Sequence, residues 1–181
     1  MATPPDFSSG QILTSSAMNS VGLWLVTSVT VGSGVSTVNV PNAFNVDFDN
    51  YRIVLSNIDS NIDGNGIKLK LDGITSAVYS SGFTTQTYAA VDPTGGGYAN
   101  DAGGVFIGYT STTNDIDSFI DICSPFIAQR KTYTFQSSSA NYISTGGGYI
   151  NSTSQATGFT IDPDAAATLT GGTIRCYGYR N

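Results

Sequence analysis

Glutamate and histidine are both missing from this chain. All 13 acidic residues are aspartate, Lys and Arg together number 7, and the formal net charge is −6. Without histidine there is no imidazole base, no Ser-His-Asp triad and no histidine metal ligand. So few basic residues on an acidic chain argue against electrostatic binding to nucleic acid. No apolar run approaches the roughly 20 residues of a membrane-spanning helix. The start, Met1 to Phe7, has neither a basic n-region nor an apolar h-region, so no signal peptide is read. These deficits predict a protein without catalytic residues, cofactor, metal, nucleic-acid partner or membrane insertion.

What the 181 residues do contain is 22 Ser, 22 Thr, 21 Gly and 13 Asn, with ten Tyr, nine Phe and one Trp. Abundant Thr, Tyr and Val, with no Glu and scarce Lys, predict an all-β chain. The length suits one domain able to bury a core without staples.

Residues 1–21 stand apart. Pro4-Pro5 is extended in expectation, and Thr14 or Ser15 can cap a short helix that Gly22 ends. Two turns are marginal alone, so this arm must dock on something. From Leu23 onward the pattern is short β runs between turn signals. Strands are expected at Leu23–Val31, Val35–Val40, Tyr51–Ile58, Gly66–Leu71, Gly104–Tyr109, Ser118–Cys123, Lys131–Phe135, Ala156–Ile161 and Gly172–Tyr179. In the fourth, Ile67, Leu69 and Leu71 point in while Lys68 and Lys70 point out. The fold expected for residues 22–181 is an antiparallel, jelly-roll-like β-sandwich preceded by the arm.

Two stretches echo each other: Thr94 to Asn100 and Thr145 to Asn151 share Thr-Gly-Gly-Gly-Tyr and a closing Asn. They read as glycine-rich bends; a duplicated β unit is the other reading. No Gly-Lys-Ser/Thr follows either, so neither is a phosphate loop. Asp59 to Gly66 reproduces the first half of a calcium loop, but Lys70 stands where a bidentate Glu is required. It reads as the turn of a hairpin, rich in Asp, Asn and Gly for backbone reasons. Cys123 and Cys176 lie in apolar runs and read as small buried hydrophobes. Asp115, Asp117 and Asp121 share one parity and read as solvent-facing rather than as a glycosidase pair. Tyr79, Tyr88, Tyr98, Tyr109, Tyr142 and Tyr149 lie beside Gly, Ser, Thr and Asn. Of these, Tyr88, Tyr98, Tyr142 and Tyr149 are candidates for recognition of a sugar or protein, because Tyr offers area at low entropy cost; the other reading is β-sheet packing, where Tyr is common.

Phe7 to Asn19, with Gly10-Gln11-Ile12-Leu13-Thr14 at its centre and Met18 near its end, resembles the opening of many tailed-phage virion proteins. Tyr51–Ile58, an Asp-Gly turn and Ile67–Leu71 are similar to a hairpin in phage tail-fibre and appendage β-domains. The ending, Gly171 to Asn181, resembles their closing strand, with Cys176 where Val is usual. The resemblance covers both ends and the first third; Ser80 to Ile161 lies outside it. It implies a structural component of the virion, in a tail fibre, an appendage or a head decoration, that forms homotrimers. It also implies an anchor in Phe7, Gln11, Ile12, Leu13 and Met18 and other virion proteins as partners; it implies a role and an architecture, not a ligand, and a host cell-surface glycan is a candidate partner beside it. The rival reading is a stand-alone carbohydrate-binding, lectin-like module.

Overall fold

The structure, a computed structural model, describes residues 22–87, 93–112, 116–164 and 166–179. Thirteen strands are formed among these residues. They are β1 (Trp24–Thr30), β2 (Val38–Val40), β3 (Asn50–Ser60), β4 (Gly66–Leu71), β5 (Tyr79–Thr87), β6 (Thr94–Asp101) and β7 (Val105–Tyr109). The rest are β8 (Ile116–Cys123), β9 (Lys131–Ser139), β10 (Tyr142–Ile150), β11 (Phe159–Pro163), β12 (Leu169–Thr170) and β13 (Thr173–Tyr179). They build two antiparallel sheets packed as a sandwich, the class read from the sequence. The large sheet runs β1-β13-β3-β8-β9-β10-β5-β6, with β12 also on β3; the small one runs β2-β11-β4-β7. The arm and its helix lie outside the described residues.

Alternation sets which side chains meet between the sheets. Tyr51, Ile53 and Leu55 of β3, Ile120 and Ile122 of β8, and Ile174 and Cys176 of β13 face inward and are buried. Ile67, Leu69 and Leu71 of β4 and Phe159 and Ile161 of β11 meet them from the small sheet. Two buried tyrosines finish the core with their hydroxyls satisfied. Tyr51 Oη accepts from the Asn45 amide at 2.8 Å and donates to the Asn45 carbonyl at 2.9 Å. Tyr79 Oη accepts from the Leu71 amide at 3.1 Å and donates to the Ile74 carbonyl at 2.9 Å. Burial pushes both phenols up to about 12.

Three sequence readings need correction. The glycine-rich stretches are strands: β10 and β6 lie on opposite sides of β5, with Gly147 and Gly97 both opposite Gly82. Their glycines admit neighbours; the Phe83 ring lies over Gly96, where a Cβ would stand 2.6 Å from it. Asp59 to Gly66 is not a hairpin turn, because β3 and β4 belong to different sheets. It is an arch between them, pinned by the Gly64 amide on the Thr110 carbonyl at 2.9 Å and the Thr110 amide on the Asn65 carbonyl at 2.7 Å. Cys123 is exposed, since its parity on β8 is opposite to that of Ile120 and Ile122; only Cys176 is a buried hydrophobe, and both thiols are free. Tyr79 belongs to the core.

The closing Gly171-Gly172 has a definite task. Both residues have positive φ, 68° and 74°. They break one ribbon into β12 and β13, both paired with β3, where Asn57 also turns to φ 55°. A side chain at Gly172 would collide with the Ser56 and Asn57 carbonyls.

Lys131, the first residue of β9, is fully buried. The three N–H groups of its ammonium face four carbonyls, Gln129 and Ser154 at 2.6 Å, Ser152 at 3.1 Å and Ile127 at 3.2 Å, so that one proton is shared between two acceptors. Burial lowers its pKa below the ordinary lysine value. Lys131→Met keeps the stem and strands four acceptors. Urea unfolding is expected to show a loss of about 3 kcal/mol, the scale for breaking a buried charged network. A loss near zero would mean that the loops reclose without the ammonium.

Candidate functional site

The tyrosines picked out from sequence do not gather on one surface. Tyr88 lies outside the described residues. Tyr98 of β6 is 37% exposed, with its ring 5.9 Å from Phe83 and 6.2 Å from Phe106. Tyr142 of β10 stacks on Tyr109 at 4.9 Å, and Tyr109 meets Phe106 at 4.9 Å. Tyr98 and Tyr142 are therefore the two ends of one aromatic row that runs along β7 and fastens that edge of the small sheet to the large one. Tyr149 has the opposite parity to buried Ile150 and faces out, with the Arg130 guanidinium 3.7 Å from its ring centroid. Phe7, Gln11, Ile12, Leu13 and Met18 lie outside the described residues.

The acidic groups are engaged in holding the structure. Asn61 Oδ1, a donor atom in the calcium reading, accepts the Thr168 amide at 2.6 Å. Asp63 takes the Asn141 amide at 3.4 Å. Among the described residues no three His, Cys or Asp side chains gather as a metal site. Asp117 and Asp121 do face outward on β8; Asp115 lies outside the described residues. Asp121 holds Arg52 of β3 by two bonds, 2.8 Å from Nε and 2.7 Å from Nη2. Partly exposed, that pair adds little stability but fixes both groups.

On the opposite side, Lys68 of β4 bridges Asp101 at 2.9 Å and Asp164 at 3.2 Å, and lies 5.0 Å from the Tyr98 ring centroid. This cluster ties β6, the outermost strand of the large sheet, to the small sheet. Burial alone would raise the Asp101 carboxyl, but the Gly103 amide and the Lys68 ammonium outweigh it and hold the carboxyl below the ordinary aspartate value.

Sequence reading missed a different place. On the outer face of the large sheet, Arg52 is opposite Asp121 and Asp121 opposite Thr134; one row along, Phe119 is opposite Gln136 and Gln136 opposite Thr145. These two rows enclose a hollow of about 470 Å³. Phe119 is 53% exposed there, on a strand whose three isoleucines, Ile116, Ile120 and Ile122, point inward. That one apolar residue at solvent parity between Asp117 and Asp121 is the signal the sequence offered.

No family model, curated protein or solved structure matches this chain.

The sign of the Asp101 effect is definite. A carboxyl held below its unfolded value stabilises the fold above that unfolded value, about 3.9, and the gain is lost as pH falls through the folded one. Asp101→Asn is therefore expected to cost about 1 kcal/mol at neutral pH and to flatten the fall in stability as pH drops below about 4. Thermal melts across that range read both effects; an unchanged acid limb would show that Asp101 does not contribute it.

Proposed function

We propose that this chain is a structural component of a tailed-phage virion, attached by residues 1–21 and displaying a trimeric β-sandwich for contact with the host surface. The observation that carries this reading is the pair of motifs at the two ends, Phe7 to Asn19 and Gly171 to Asn181. The second of these includes β13, between β1 and β3 in the large sheet, so it is built into the domain's framework rather than appended to it. The fold also supports a display role. Asp101, Asp121 and Asp164 are held in ion pairs and Asp117 accepts a backbone amide, and the polar strands present Ser, Thr and Gln to solvent. Leu23, Trp24 and Leu25 expose apolar surface at the start of edge strand β1, directly after the arm, where a neighbouring subunit or virion protein would cover it. Its location is then the assembled particle, and its partners are two further copies and other virion proteins.

Phe7, Ile12, Leu13 and Met18 are apolar on a segment too short to bury them alone. Each is worth about 1.5–3 kcal/mol when fully covered, enough to hold a short arm in a partner's groove. The full chain carrying Ile12→Asp and Leu13→Asp should keep its melting temperature and lose incorporation into particles. Normal incorporation would refute the anchor. Light scattering of the unaltered chain should give three chain masses; a concentration-independent mass of one chain would refute the trimer.

A further inference from the structure

The outer-face hollow has a chemistry that the framework does not require. Its two charged groups neutralise one another, and their bidentate bonds at 2.8 and 2.7 Å hold them in one plane. The guanidinium and carboxylate side chains remain 42% and 30% exposed, so their other N–H groups and lone pairs face the hollow's solvent. Beside them lie a half-exposed phenyl ring, one amide and two threonine hydroxyls, on four neighbouring strands. One residue further along the Arg52 row, Thr134 is opposite Gly147, so the floor falls to bare backbone.

We propose that this hollow binds a neutral saccharide. A pyranose offers one face of C–H groups and a rim of hydroxyls. Phe119 takes the C–H face, while the Arg52–Asp121 pair and Gln136 both donate to and accept from adjacent hydroxyls. Thr134 and Thr145 fill the remaining rim. The size falls within the roughly 300–1,000 Å³ of small-ligand sites. Charge selects against anionic sugars, because the site has no unpaired cation among its lining residues and the chain carries −6. The groups stand on strands in a fixed register, so little ordering is needed on binding. This assignment deepens the host-contact part of the proposed function. It is read on purified protein, so its failure leaves particle incorporation unaffected, and failed incorporation leaves it unaffected in turn.

The test is an NMR titration of the full-length protein with maltopentaose, cellopentaose and chitopentaose, with a uronate pentasaccharide as the anionic control. At least one neutral probe should saturate and shift amides of β8 and β9, and the uronate should not. Phe119→Ala and Gln136→Ala should each weaken binding by about tenfold. Thr134→Trp, which fills the hollow from an exposed position, should abolish binding while leaving the melting temperature within about 3 °C. No saturation by any neutral probe, or unchanged binding in Thr134→Trp, overturns the proposal. So does a Thr134→Trp protein that loses its oligomeric state instead, since the face would then be a subunit contact.

Discussion

One buried ammonium joins the two sheets at one end of the sandwich. Lys131 begins β9, near the middle of the large sheet, and its four carbonyl partners come from residues 127–129 and 152–154. A buried charge with no counterion is costly unless its hydrogen bonds are complete. Here they are complete only if both loops fold over it at once. The second loop continues through Ala156, whose amide bonds the Pro125 carbonyl at 3.0 Å, into β11, flanked by β2 and β4 in the small sheet. The ammonium thus fixes where the chain leaves one sheet and enters the other.

Toward the β6 edge the sheets are joined by rings and ions rather than by one charge. The aromatic row Tyr98, Phe106, Tyr109 and Tyr142 binds β7 to the large sheet. Lys68 then ties in β6, whose glycine-rich sequence gives it few side chains of its own to bury. The glycines of β6 and β10 are the counterpart of large side chains elsewhere: Gly96 makes room for Phe83. Regular antiparallel register across β3, β8, β9 and β10 is what places Arg52, Asp121, Phe119 and Gln136 around one hollow on the outer face.

Alternation made part of this legible from the residues. Ile67, Leu69 and Leu71, or Ile53 and Leu55, announce a buried face by their period, and the all-β sandwich follows from several such runs. The strands β6 and β10 carry no such period, because Gly-Gly-Gly hides both faces; their β structure depends on pairing with β5. Asp, Asn and Gly between β3 and β4 serve a hairpin turn and an arch equally well, so only the sheet assignment separates them. The hollow draws on positions 52, 119, 121, 134–136, 145 and 146, brought together by register between strands distant in sequence, and no local motif encodes that. Among the tyrosines, composition could not tell Tyr98 and Tyr142, which join the aromatic row along β7, from Tyr149, which does not; parity against buried Ile150 distinguishes Tyr149 once β10 is known to be a strand.

A stiff, weakly charged sandwich with polar faces is suited to display, and the two end motifs suggest where it is displayed. The most direct measurement is immunogold electron microscopy of gradient-purified particles made by the genome that encodes this chain, using antibody raised against the full-length protein. The expected result is labelling of intact particles at one defined structure, of the tail or of the head. Particles that carry no label, with the protein left wholly in the soluble fraction of the lysate, would contradict a structural role in the virion.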